Sequence, residues 1–199
     1  ECLDTSHGEL SPEAAPGRLH LHTGDIRDRA GLEAVRDAIL NAGRSLDILV
    51  LNAGINIRKP MLEFSDEEAE RILSVNLLGT IKCLQVFAPM LFGRSEPRIV
   101  VTSSAIVEHG MVLRSVYAAS KGGLSALVRS ASLELGPKGV AINAFAPGII
   151  RTPLTDRYMK EHPEVVEGAE NNTPLGRVGT PEEAAELAVF LASSASRFI

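Results

Sequence analysis

The sequence predicts an α/β fold of the doubly wound kind, a parallel sheet with helices on both faces. Three observations carry this. Short apolar runs alternate with segments of helical period along the chain. The middle runs, Asp47-Ile-Leu-Val-Leu51 and Ile99-Val-Val101, are continuous rather than alternating, as strands covered on both faces are. Small or polar residues then follow the runs, at Asn52-Ala-Gly54, Ser103-Ser104 and Pro147-Gly148. An open α/β sheet places its crevice there, at the carboxyl ends of its strands.

Taken in order, the runs 19–22, 46–51, 98–103 and 140–146 read as strands. The stretch 28–43 carries Leu32, Val35 and Ile39 at helical spacing. The next helix opens on a capping box, Ser65 with Glu68, and its apolar face runs Ala69, Ile72, Leu73, Leu77, Ile81, Leu84. A third covers 115–135 and stops at Gly136-Pro137. The last starts at Thr180-Pro181, a cap followed by proline at the first helical position, with Glu183 closing another capping box. Between these, 153–175 is polar, carries Pro153, Pro163 and Pro174, and reads as a loop. It is long for a connection, and such insertions often form lids over a site. There is no internal repeat or low-complexity tract. With 199 residues, 45% of them hydrophobic, one domain over 1–199 is expected.

Composition excludes several classes. The net charge is −5 and the basic residues are scattered, which argues against a nucleic-acid footprint or a polybasic membrane patch. No apolar run approaches the roughly 18 residues of a membrane span. The opening ECLDTSHGEL lacks the basic-then-apolar plan of a signal peptide. Cys2 and Cys83 make no disulfide framework, so a reducing cytoplasm is the expected home. The five histidines fall into no metal-ligand pattern, and no metal is expected. His20 and His22 share one face of the 19–22 run, as surface strand residues do.

Chemistry concentrates around Tyr117 and Lys121, four apart and therefore on one helix face. An ammonium held near a phenol favours the phenolate and lowers the tyrosine pKa toward working pH, as a general acid/base for an alcohol requires. Taken alone, the pair is also what a solvated helix surface offers. Its surroundings add weight: Ser104 ends the strand 98–103, thirteen residues before Tyr117. Asn76 sits on an apolar helix face between Leu73 and Leu77, where a buried amide costs about 1–3 kcal/mol unless paired.

These residues resemble the short-chain dehydrogenase/reductase family, whose hallmark is a serine after this strand and Tyr-x-x-x-Lys at that distance. The stretch Tyr117-Ala-Ala-Ser-Lys121-Gly-Gly is similar to the family's form nearly residue for residue. The resemblance implies a Rossmann-type fold and a catalytic set of Asn76, Ser104, Tyr117 and Lys121. In it Ser104 hydrogen-bonds the substrate oxygen and Tyr117 passes the proton. Lys121 also grips the nicotinamide ribose, and Asn76 holds a proton-relay water. Asn52-Ala53-Gly54 resembles the family's motif lying along the cofactor, and Asp25 with Ile26 matches the segment near the adenine. Pro147, Gly148, Ile150 and Thr152 resemble the segment that holds the nicotinamide carboxamide. If 1–4 is the tail of a further strand, Asp4 sits where an acid takes both ribose hydroxyls and repels a 2′-phosphate. NAD(H) is therefore favoured, with NADP(H) the alternative.

The family's Gly-rich turn between first strand and first helix is absent from these 199 residues, as is its last strand. The domain is expected to be incomplete at both ends, leaving the run 46–51 short of a neighbour. Asn52-Ala-Gly-Ile-Asn-Ile-Arg-Lys-Pro60 looks like the gluconate 5-dehydrogenase and related sugar-acid members, with Arg58 and Lys59 placed to meet a carboxylate or merely solvated. Substrates are therefore carbonyl or secondary-alcohol compounds, including sugar acids and polyols. Rivals are 3-oxoacyl carrier-protein reductase, glucose dehydrogenase and, from another class, a non-catalytic dinucleotide-binding or scaffold protein. The helices of Asn76 and Tyr117 carry apolar residues on further faces (Leu78 with Val86; Leu127 with Leu133), so a homo-oligomer, tetramer or dimer, is expected.

Overall fold

The computed structural model describes residues 20–199. Its sheet has three parallel strands in the order β1 (Ile48–Leu51), β2 (Arg98–Thr102), β3 (Ala141–Phe145). Val50 lies beside Val100, and Val100 beside Asn143. Alternation along β2 divides the core. Ile99 and Val101 point to one face and pack with Leu91, Leu124 and Val128. Val100 points to the other, against Phe145 and Leu191. Helices cover both faces, as the doubly wound reading expects.

The first helix, α1 (Arg29–Asn41), is capped by Asp28, whose carboxylate accepts from Ala30 N at 3.1 Å. A long helical stretch follows β1. It comprises α2 (Asp66–Leu73), a π turn at Ser74–Gly79, and α3 (Thr80–Phe87). The Ser65/Glu68 capping box forms as expected. By length and composition Asp66–Leu91 is apolar enough to cross a membrane. No single run in the sequence reveals this, because α2 opens on acids and the apolar residues are spread over both faces. Here the stretch is a core helix, with Ile72 and Leu91 wholly buried. After β2 come a single turn, α4 (Ile106–His109), and α5 (Ser115–Leu135), which ends where Gly136-Pro137 requires. The last helix, α8 (Pro181–Ala192), carries the expected Thr180/Glu183 capping box.

Three expectations are corrected. Of the run 19–22, His20–His22 form no strand, and Leu21 is 73% exposed. A ladder needs a partner, and none lies beside these residues among those described. The run 153–175 is two helices, α6 (Pro153–Glu161) and α7 (Pro163–Asn172), rather than a loop. Pro153 and Pro163 each open a helix, where the missing N–H is no loss. Val86 is buried against α1 with Cys83 and Phe87, so it offers no surface to a second subunit; Leu78 and Leu133 stay exposed.

Among the described residues β1 pairs with β2 alone. Beside its other edge lies a cleft of about 270 Å³, lined by Asp25, Ile26, Leu49, Leu51, Asn52 and Ala53 among others.

Candidate active site

The three parallel strands end together, and the residues after them form the site. Ser103 and Ser104 follow β2, and Pro147 and Gly148 follow β3. Ala105 N donates to the Pro147 carbonyl at 3.0 Å, which ties these two ends side by side. Ser103 is buried, and its hydroxyl donates to the Lys121 carbonyl (3.1 Å) and meets Ser125 Oγ (2.8 Å). It thereby clamps α5 to the end of β2.

On α5, Tyr117 and Lys121 share a face as their spacing requires. Lys121 is 3% exposed. Its Nζ donates to the Thr102 carbonyl at 2.7 Å and lies 5.8 Å from the Tyr117 ring centroid. With no carboxylate beside it among the described residues, burial pushes the ammonium down to about 8. Burial likewise raises the Tyr117 phenol, opposed by a hydrogen bond from Ser104 and by the charge of Arg114. The expectation that Lys121 lowers the tyrosine is thus corrected. The lysine is turned to Thr102, and the groups that favour the phenolate are Ser104 and Arg114.

Asn76 is wholly buried. Its Oδ1 accepts from Ile55 N (2.7 Å), and its Nδ2 donates to the Ile55 carbonyl (2.9 Å) and to Ser120 Oγ (3.0 Å). Ser120 Oγ in turn donates to the Tyr117 carbonyl at 2.7 Å. The amide thus binds the loop after β1 to the turn of α5 that carries Tyr117 and Lys121. The π turn that presents it is closed tightly: a Cβ on Gly79 would lie 2.7 Å from the Ile26 side chain, which would have to shift to admit it. Insertions of this kind recur at functional sites.

The Asn52-Ala53-Gly54 segment is exposed and passes close to this network. A Cβ on Gly54 would come within 3.2 Å of Asn76 Oδ1 and 3.6 Å of Lys121 Nζ, filling the space beside the lysine. Asp25, Ile26, Asn52 and Ala53 line the cleft beside β1. The Asp25 carboxylate is held below its usual range by Arg27, whose Nη2 reaches it at 2.5 Å, and it caps no helix. Ile150 bridges Gly179, and Thr152 caps α6, its N–H donating to Thr155 Oγ1 at 2.8 Å. Gly148 has open space at its Cβ position. A nicotinamide with its ribose fits this set, given the buried Lys121 donor, the close approach that Gly54 leaves beside it, and open space at Gly148 after β3. Asp4 lies outside the described residues.

The loop after β1 also carries Asn56, Arg58 and Lys59. Lys59 is committed to Glu68, with its Nζ 2.7 Å from the carboxylate, and so is not free to meet a substrate. Arg58 lies over the Tyr158 ring of α6, its Cζ 3.8 Å from the centroid. Ser120 and Arg114 are the residues sequence reasoning missed, and it placed Ser103 at the strand end without its clamp on α5. Ser120 left a faint signal as a small polar residue directly before Lys121.

Most of the chain is similar to known proteins. The family model described as enoyl-(acyl carrier protein) reductase matches residues 4–199. A 3-oxoacyl-[acyl-carrier-protein] reductase of Thermotoga maritima is 31% identical over 187 residues, 94% of this chain and 75% of that protein. A short-chain dehydrogenase/reductase of Armillaria gallica is 35% identical over 180 residues, 88% of this chain and 69% of that one. A crystal structure described as a short-chain dehydrogenase/reductase, glucose/ribitol dehydrogenase, from Brucella melitensis aligns at TM-score 0.85 with 31% identity, covering 93% of this chain and 73% of that chain.

Proposed function

The chain belongs to the short-chain dehydrogenase/reductase family of oxidoreductases, and from that premise we propose that Tyr117 transfers the proton as a secondary alcohol and its carbonyl interconvert. The observation that carries this reading is the half-buried Tyr117 phenol set beside Ser104 from the end of β2, with Lys121 on the next turn of α5 and 5.8 Å from the ring centroid.

In alcohol oxidation the Tyr117 phenolate accepts the hydroxyl proton; in carbonyl reduction the phenol returns it. Ser104 donates to the substrate oxygen and holds it at the phenol. Ser104 and the Arg114 charge favour the phenolate, and Lys121, one turn along α5, is placed to hold the nicotinamide ribose. Asn76 and Ser120 fix the helix turn that carries both groups. We assign nicotinamide binding to Asn52, Ala53, Gly54, Lys121, Tyr117, Pro147, Gly148, Ile150 and Thr152, with Asp25 and Ile26 toward the adenine. Bound there, the nicotinamide supplies the hydride acceptor or donor. NAD(H) is the favoured form on the sequence position of Asp4. A hydroxy or keto acid of the sugar-acid kind is the favoured substrate. The Thermotoga relative favours a second reading, reduction of 3-oxoacyl thioesters. A homo-oligomer in the cytoplasm completes the proposal, supported by exposed Leu78 and Leu133 and by the free, buried Cys83.

The test is a panel of sugar acids, polyols and acyl thioesters offered to the full-length protein with each nicotinamide, followed by nicotinamide absorbance. Turnover of an alcohol or carbonyl is expected, faster with NAD(H). No turnover of any member would sink the reading.

A further inference from the structure

Two arginines stand near the site with no acid to balance them: the Arg114 charge reaches Tyr117, and that of Arg58 reaches Arg114. Arg58 and Arg114 both address the Tyr158 ring, their Cζ atoms 3.8 Å and 6.0 Å from its centroid. Neither makes an ion pair among the described residues, and Arg58 Nε is buried without a hydrogen-bond partner. The acid of the same turn of α6, Asp156, is already held by Arg151 and Lys160. The neighbouring cation of the loop, Lys59, is taken by Glu68.

Backbone geometry holds the pair together. Lys59 N donates to the Leu113 carbonyl at 3.1 Å, joining the loop after β1 to the entry of α5. Leu113 adopts φ 62°, a left-handed conformation that a leucine takes only under constraint, and this sets Arg114 as the residue capping α5. The positive end of a 21-residue helix adds to the field there. Burial and mutual repulsion press Arg114 below its ordinary value, and burial does the same to Arg58. Two half-buried guanidiniums without a counter-charge are unfavourable unless an anion is to join them. A planar fork is the geometry that binds carboxylate in two contacts.

We propose that Arg58 and Arg114, closed over by Tyr158, form a carboxylate receptor that makes the substrate a short hydroxy or keto acid. Arg114 precedes Tyr117 by three residues, a rise of about 4.5 Å along the helix. The carboxylate therefore stands only a few bonds from the carbon that reacts, which selects a small acid over a long acyl chain. The proposal rests on the oxidoreductase reading for its substrate, while its binding arm does not.

The test pairs carboxylate probes, gluconate and 3-hydroxybutyrate, with their neutral amides, on the full-length protein. Calorimetry reads binding, and nicotinamide absorbance reads turnover. At least a tenfold preference for a carboxylate over its amide is expected in kcat/KM, carried mainly by KM. In Arg58→Gln and Arg114→Gln that ratio should fall toward one, and Arg114→Lys should restore part of it. Carboxylate binding that is lost in the arginine variants upholds the receptor even without turnover of any probe; the oxidoreductase reading then stands or falls on the whole substrate panel. Turnover that ignores the carboxylate, or a ratio that survives in the double variant, overturns the receptor and leaves that reading standing. Failure of every carboxylate probe to bind also overturns it.

Discussion

Removing the Asn76 amide should loosen the site before it loosens the fold. In Asn76→Ala the Ile55 N–H and carbonyl both lose their side-chain partner, while Ser120 Oγ keeps its bond to the Tyr117 carbonyl. Each unsatisfied group costs about 1–3 kcal/mol, and Ile55 is only half-buried, so the low end applies to each. Together they amount to roughly 2–4 kcal/mol, less than the 5–15 kcal/mol stability of an ordinary domain. Urea unfolding followed by far-ultraviolet circular dichroism should show this loss at an unchanged slope, with kcat reduced as the turn carrying Tyr117 and Lys121 loses its tie. Asn76→Asp is the sharper probe. It keeps the acceptor for Ile55 N but sets a carboxylate oxygen against the Ile55 carbonyl. The folded state then prefers the protonated acid, so its pKa is raised. The stabilising contribution is present at low pH and lost as pH rises through that raised value. The gap from wild type should therefore narrow as pH falls toward about 4. An alanine variant within about 0.5 kcal/mol of wild type would refute the network as a tie between β1 and α5.

Further expectations follow from the same groups. Lys121 falls from 10.5 to about 8; at 1.36 kcal/mol per pH unit its burial as an ammonium costs roughly 3 kcal/mol. Because the folded value is depressed, the unfolded chain binds more protons between those values. Stability attributable to this lysine therefore rises through that window and is lost as pH falls through 8. Urea midpoints of Lys121→Met should exceed wild type at pH 7 and converge with it near pH 10; parallel curves would contradict the assignment. α6 and α7 should exchange amide hydrogens faster without ligand than α5, and slow on addition of nicotinamide and substrate; equal protection in both states would remove their role as a lid. Sedimentation of the full-length protein should show a dimer or tetramer, and Leu133→Glu should weaken it. A monomer at micromolar concentration would refute the oligomer.

How much of this was legible depends on how local each signal is. The capping boxes Ser65/Glu68 and Thr180/Glu183 close within four residues, and both helices start where they indicate. The end of α5 is marked by Gly136-Pro137 for the same reason. Tyr117 and Lys121 share a face by helical geometry alone. Other features depend on distant partners. Ser103 meets Ser125, and Asn76 meets Ser120 across 44 residues, so neither contact follows from spacing. The π turn depends on Ile26 packing onto Gly79. Alternation at His20–His22 reads as a strand, but a strand exists only where a neighbour completes its ladder. Pro153 and Pro163 read as loop residues because nothing nearby distinguishes a proline that breaks a helix from one that opens it. The place of Arg114 depends on the bond from Lys59 N to the Leu113 carbonyl, which spans 54 residues and has no local signal.

The Tyr117 hydroxyl is the group on which proton transfer depends. Turnover of Tyr117→Phe in the full-length protein, measured on whichever substrate the wild type converts, tests it with a single oxygen removed. Loss of kcat by 10²–10⁴-fold is expected, with folding and nicotinamide affinity retained, since proton transfer supplies an effect of that size. A phenylalanine variant that keeps more than about a tenth of wild-type kcat would contradict the claim that this phenol moves the proton.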